Sequence, residues 1–258
     1  FALPFALMSA FLAAGGLPSG RALFWIVAAM VGARSSAMSF NRLADLEYDR
    51  RNPRTAKRAL PAGILTTGQV WAFCLGSAAL LVLAAGMLNP LALALSPVAL
   101  AIVWGYSYTK RFTSLSHLAL GLGLGVAPVG AWIAIRGRIE VVPLLLCAAV
   151  TLWTAGFDII YACQDVEFDR QAGLHSLPAR LGERAALALS IFLHLGVAAI
   201  LFALPRLIPL GTLYTVGAAG AVLLLAYEHT LVRPGDLSRV NAAFFTTNGF
   251  VSVGLMAF

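Results

Sequence analysis

Long apolar stretches of about 20 residues recur along the chain, separated by short breaks of two kinds. Reading each as a helix long enough to cross a bilayer predicts nine spans, at 1–17, 21–49, 67–88, 90–108, 115–135, 140–166, 183–204, 208–231 and 238–257. The breaks on one side are tight and carry turn residues: Gly-Leu-Pro-Ser-Gly at 16–20, Asn89-Pro90 and the stretch Pro205 to Pro209. Those on the other side are longer and polar, at 50–66, 109–114, 167–182 and 232–237. The pattern predicts an all-α polytopic membrane protein, a bundle around a central cavity with a cap of loops at one end.

Composition agrees with this pattern. Of 258 residues, 60% are hydrophobic and 11% charged, and the mean hydropathy is +0.86, which leaves no room for a sizeable soluble domain. A single transmembrane domain over residues 1–258 is expected. The first residues lack a basic n-region and a cleavage site, so no signal peptide is read. The absence of an initial Met leads us to expect missing native N-terminal residues. Cys74, Cys147 and Cys163 stand in apolar segments without C-x-x-C spacing, and no redox role follows.

The net charge of +7 is explained by topology rather than by nucleic acid, for which no phosphate loop or aromatic motif is present. Twelve Lys and Arg border the polar breaks and four the tight ones. The positive-inside rule places the polar breaks, and with them the N-terminus, in the cytoplasm. The expected location is the plasma membrane of a prokaryote, with the active site on the cytoplasmic face.

Acidic residues sharpen the picture because they are scarce. Only 11 Asp and Glu occur, and seven of them fall in two stretches: Asp45, Glu47 and Asp49, and Asp158, Asp165, Glu167 and Asp169. A carboxylate near a bilayer core costs on the order of 3 kcal/mol, so both groups need compensation. Asn41, Asp45 and Asp49 are spaced i, i+4, i+8. Asp158, Asp165 and Asp169 are spaced i, i+7, i+11. Each set forms one stripe on a straight helix. Oxygen ligands without His or Cys suit a hard cation such as Mg²⁺, which commonly bridges carboxylates to substrate phosphates. The plainer alternative is a pair of solvated helix ends whose acids pair with nearby arginines. Arg54, Lys57, Arg58, Lys110, Arg111 and Arg180 are placed to reach a metal-held diphosphate, or else to meet anionic headgroups.

The residues then carry a resemblance. NRLADLEYDRRNPRTAKRALPAG resembles the first signature of the UbiA family of intramembrane prenyltransferases, Asn-x-x-x-Asp-x-x-x-Asp followed by Arg-Thr-x-x-Arg-Pro-Leu. DIIYACQDVEFDRQAGLHSLPARLG is similar to the second, Asp-x-x-Tyr-Ala-x-x-Asp-x-x-x-Asp, and YSYTKRFT to the Tyr-x-x-x-Lys-Arg segment between them. The order of the segments extends the likeness over essentially the whole chain, nearest the 4-hydroxybenzoate polyprenyltransferase branch. Ala59 stands where the family usually has Pro, and His175 where Lys is common.

The resemblance implies Mg²⁺-dependent transfer of a polyprenyl group from an isoprenyl diphosphate to a small aromatic acceptor, in ubiquinone or menaquinone synthesis. It assigns Asn41, Asp45, Asp49, Asp165 and Asp169 to two Mg²⁺. Arg54, Arg58, Lys110 and Arg111 are then diphosphate contacts, with Arg58 and Lys110 also assisting departure. Asp158 is expected to orient an acceptor hydroxyl or act as a base. Arg34, about 10 Å deeper than Asn41 on nearly the same face, is expected to anchor a carboxylate on the acceptor, or to pair internally with Asp158. Tyr161 either lines that cavity or packs between helices, and Asn248 is expected to hydrogen-bond between helices. Other acceptors stay open: a dihydroxynaphthoate, a homogentisate, a chlorophyllide or a glyceryl phosphate. The rival from another class, an ion-coupled transporter, predicts acids near mid-membrane in broken helices. The oligomeric state cannot be read from the sequence.

Overall fold

The computed structural model describes residues 2–257. Phe1, which opens the first predicted span, and Phe258, which closes the predicted domain, lie outside them. The described chain is all-α: α1 (Ala2–Ala14), α2 (Gly20–Ala44), α3 (Leu46–Arg51), α4 (Thr67–Leu88), α5 (Pro90–Thr109), α6 (Ser116–Arg136), α7 (Val141–Ala162), α8 (Val166–Ala172), α9 (Leu177–Leu181), α10 (Glu183–Ala203), α11 (Thr212–Thr230) and α12 (Asn248–Ala257). A 3₁₀ turn, Cys163–Asp165, joins α7 to α8, and a π-helical segment, Ala242–Thr247, leads into α12.

Helix starts follow local chemistry. Ser19 accepts from the Ala22 amide, Thr66 and Gln69 form a reciprocal capping box, and Asn89 caps a helix whose first residue is Pro90. Among the described residues, six stretches are long and apolar enough to cross a bilayer: Gly20–Ala44, Thr67–Leu88, Pro90–Thr109, Ser116–Arg136, Val141–Ala172 and Glu183–Arg206. The apolar helices at Ala2–Ala14 and Ala242–Ala257 are shorter. Helix α11 has 19 residues, but its last turn carries Glu228 and His229, which lowers its hydropathy.

Packing is closest where glycine removes a side chain. A Cβ on Gly32 of α2 would stand 2.7 Å from the Ser77 carbonyl of α4, and this pair of helices has one of the largest contacts in the bundle. Polar ties close other gaps. Ser9 Oγ donates to the Pro128 carbonyl at 2.6 Å, linking α1 to α6, and Asn89 Nδ2 donates to the Ile133 carbonyl at 2.8 Å. Trp153, Phe157, Phe5 and Leu201 sit in the largest core cluster. Asn248 spans three helices there, accepting from Trp153 Nε1 at 2.7 Å and donating to fully buried Glu228 at 3.0 Å. Its amide also donates to the carbonyls of Ala243 and Phe244, which belong to the π-helical turns.

Two of the predicted helices are interrupted. The span 21–49 breaks at Asp45 (φ −93°, ψ 3°), and 140–166 ends at Ala162 before turning through Asp165 (φ −104°, ψ 8°). The straight-helix stripes drawn through the two acidic sets are therefore kinked at Asp45 and Asp165. At the first break, the guanidinium of Arg111 donates to the Ala44 carbonyl and takes an acceptor that a continuing helix would use.

Candidate active site

The C-terminal ends of α2, α5 and α7 meet the N-terminal end of α6 and the loops beyond them, enclosing a polar cavity of ≈ 270 Å³. Ten residues singled out in the sequence line it: Asn41, Asp45, Asp49, Arg54, Arg58, Lys110, Asp158, Tyr161, Asp165 and Asp169. Past the breaks at Asp45 and Asp165, residues of α3 and α8 line the same cavity as the ends of α2 and α7, so both motifs share one space.

Within it the carboxylates are held by cations from neighbouring loops. Arg58 Nη1 contacts both oxygens of Asp49, at 2.8 and 2.9 Å, and Arg42 approaches the same group at 3.7 Å. Lys110 Nζ stands 2.7 Å from Asp45 Oδ2, which also accepts from Asn41 Nδ2 at 3.0 Å. Arg54 forms a two-pronged contact with Asp165, at 3.0 and 2.5 Å, while Asn52 Nδ2 reaches that carboxylate at 3.3 Å. Burial lowers the pKa of Arg54, but its hydrogen bond to Asp165 and that group's charge outweigh the effect, and the net shift is upward. The loop after α3 thus ties the first motif to the second.

The five expected metal-ligand residues share this cavity without forming one coordination shell. Among the described residues no three His, Cys, Asp or Glu side chains are grouped to hold a metal ion. Asp45, Asp49 and Asp165 are instead each engaged by a cation, Lys110, Arg58 and Arg54 respectively. The donor set nonetheless fits a hard divalent cation, being all oxygen. Asp45 is 5% exposed and its Oδ1 has no hydrogen-bond partner among the described residues, the kind of unsatisfied acceptor that an added cation would meet.

Three expectations are redrawn. Arg111 does not line the cavity. It closes the C-terminal end of α2, with its guanidinium carbon 4.7 Å from the Tyr108 ring centre and 5.5 Å from that of Tyr48. Its sequence position beside Lys110 suggests a diphosphate contact; in the folded chain its guanidinium lies on the faces of Tyr108 and of the cavity-lining Tyr48. Arg34 lines a second, mainly apolar cavity of ≈ 410 Å³ and forms no ion pair among the described residues. Asp158 is not its partner: His117 Nδ1 stands 2.7 Å from Asp158 Oδ2. Tyr161 combines both expected roles, accepting from Arg54 Nη1 at 3.2 Å while its ring packs 4.2 Å from that of Phe244.

Tyr106, the first residue of the Tyr-x-x-x-Lys-Arg segment, and Leu120, which carried no sequence signal, border both cavities, so the polar site adjoins the apolar one. Asn52, His117 and Ser176 also face the polar site. A lone His or Ser near an apolar helix end has no diagnostic spacing.

Comparison with known proteins accords with this geometry. The model of the family described as the UbiA prenyltransferase family matches residues 2–250. A 4-hydroxybenzoate octaprenyltransferase from Aeromonas salmonicida is 31% identical over 253 residues, covering 97% of this chain and 87% of that protein. The apo structure of a UbiA homolog from Aeropyrum pernix is 37% identical with a TM-score of 0.91, covering 99% and 94% of the two chains. A UbiA homolog from Archaeoglobus fulgidus bound to DMAPP and Mg²⁺ shares the fold, with a TM-score of 0.73 at 20% identity over 99% and 96%.

Proposed function

The chain belongs to the UbiA prenyltransferase family, and from that premise we propose that it transfers a polyprenyl group from an isoprenyl diphosphate to an aromatic acceptor such as 4-hydroxybenzoate, in quinone synthesis. The observation that carries the reading is the junction of the two cavities. A polar chamber lined by Asp, Arg and Lys adjoins, at Tyr106 and Leu120, a mainly apolar chamber of ≈ 410 Å³ whose walls suit an isoprenoid tail. The family membership and the apolar spans make it an integral membrane enzyme. We place nine spans around the site, one domain over the chain, a cytoplasmic cap of loops and a prokaryotic plasma membrane.

Asn41, Asp45, Asp49, Asp165 and Asp169 would hold Mg²⁺, two ions in our reading; a homolog of the same fold binds DMAPP and Mg²⁺. Such ions neutralise charge on a departing diphosphate. Arg54, Arg58 and Lys110 already sit at carboxylates, and need only exchange those oxygens for diphosphate oxygens to bind the donor. Arg111 supports them by holding the α2–α3 corner. The apolar walls exclude water that would quench an allylic cation. Asp158 accepts the hydrogen bond of an acceptor hydroxyl and can take its proton. Arg34 lines the apolar chamber and forms no ion pair among the described residues, which suits an acceptor carboxylate.

The test is transfer of labelled prenyl diphosphate to a panel of aromatic acids in proteoliposomes with Mg²⁺, read by mass spectrometry of the lipid product. A carboxylated acceptor should be consumed; failure of every aromatic acceptor defeats the reading. In the same assay Arg34→Ala should raise acceptor KM by about 10- to 100-fold, the worth of a charged hydrogen bond, with donor KM unchanged. An unchanged acceptor KM would exclude the carboxylate role.

A further inference from the structure

His117 belongs to none of the sequence signatures, yet it joins the two parts of the second motif. It lies in the first turn of α6 and is 3% exposed. One ring edge meets Asp158, with Nδ1 2.7 Å from Oδ2. The opposite edge meets the loop after α8, where the Leu177 backbone N–H donates to Nε2 at 3.3 Å.

These two contacts determine the tautomer. A backbone amide can only donate, so Nε2 must offer a lone pair, and the ring proton sits on Nδ1, facing the carboxylate. Leu177 opens α9 beside Ser176, whose hydroxyl accepts from the Ala179 amide and which lines the active-site cavity. The seating of this loop therefore sets the donor that Asp158 sees.

We infer that His117 is a positioning residue for the transfer reaction: it fixes the rotamer of Asp158 through Nδ1–H, in the tautomer that the Leu177 amide imposes. This rests on the proposed role of Asp158 toward the acceptor hydroxyl. One carboxylate oxygen is engaged by the imidazole, which leaves the other as the acceptor for substrate. Without the imidazole the side chain, 23% exposed, is free to rotate toward the cations of the cavity and lose its aim.

The experiment compares wild type, Asp158→Asn, His117→Ala and His117→Asn in proteoliposomes, measuring kcat, both KM values and melting temperature. Asp158→Asn should lower kcat by about 10²–10³-fold. His117→Ala should lower kcat by about 10- to 100-fold, as loss of an orienting partner does, with donor KM within about twofold. His117→Asn should recover to within about fivefold of wild type, because the Asn amide nitrogen stands where Nδ1 stood. Wild-type kcat in His117→Ala, beside an inactive Asp158→Asn, would overturn the positioning role and leave the role of Asp158 standing. Wild-type kcat in Asp158→Asn would remove the base and this inference with it. Equal losses of kcat and melting temperature in both His117 variants would reduce His117 to scaffolding and also overturn it.

Discussion

Asp45→Asn is expected to cut Mg²⁺-dependent prenyl transfer by about 10³-fold, about 4 kcal/mol of transition-state stabilisation, while leaving the melting temperature unchanged or slightly higher. The asymmetry follows from what Asp45 does in the folded chain. Its Oδ2 is shared by Lys110 and Asn41, but its Oδ1 is buried with no hydrogen-bond partner among the described residues. In Asp45→Asn the amide oxygen must stay with the donors Lys110 and Asn41, so the NH2 takes the unpartnered place and that penalty of about 1–3 kcal/mol carries over, while a neutral amide is cheaper to bury than an anion and keeps the shape. Lys110 is about a third exposed (32%) and can turn its charge to water. The same exchange removes a negative ligand from the set proposed to hold the cation, and catalysis should collapse. Retention of more than about a tenth of the wild-type rate at saturating Mg²⁺ would exclude Asp45 as a ligand. A large fall in melting temperature would instead mark the Asp45–Lys110 pair as structural.

Gly121→Ala is expected to lower stability by about 3 kcal/mol, the upper end of core overpacking, read as a drop in melting temperature in detergent. A Cβ at this position would lie 2.3 Å from the Thr151 carbonyl oxygen and 3.1 Å from that residue's Cα. Those are backbone atoms of α7, so no rotamer change can make room and the helices must part. Gly125, one turn further on, is equally confined, with 2.7 Å to the Cys147 carbonyl. Parting α6 from α7 also strains the site, because His117 rides on α6 and Asp158 on α7, only 2.7 Å apart at their hydrogen bond. Gly130→Ala on the same helix is the control. Nothing lies within 4 Å of its Cβ position, and alanine's helix propensity should make it neutral or stabilising. Equal melting temperatures for the two variants would refute the close-approach argument.

Much of the architecture was legible in the order of residues. The predicted spans 67–88 and 90–108 coincide closely with Thr67–Leu88 and Pro90–Thr109, because an apolar run bounded by a capping box or by Asn-Pro carries its own start and stop signals. The carboxylates were legible for a different reason: acids so rare, placed beside apolar helices, are too costly to keep without a purpose. The breaks at Asp45 and Ala162 were not legible. The residues around Asp45 have no helix breaker, and the Ala44 carbonyl is taken by Arg111, 67 residues away. The roles of neighbouring cations were likewise open, since Lys110 and Arg111 are adjacent in the chain and both reach the Tyr48 ring, yet one pairs with the Asp45 carboxylate and the other caps the Ala44 carbonyl.

By itself, then, the chain's pattern determined the six long apolar helices, the polar end of the bundle and the oxygen-rich chemistry concentrated there, since burial costs and helix signals act over a few residues. Only the tertiary structure decided which charge neutralises which, that Arg34 lines the apolar chamber without an ion pair among the described residues, and that His117 meets Asp158. Those outcomes depend on distances between segments up to 113 residues apart, as for Asn52 and Asp165, and Coulomb and hydrogen-bond energies are set by such distances rather than by sequence spacing.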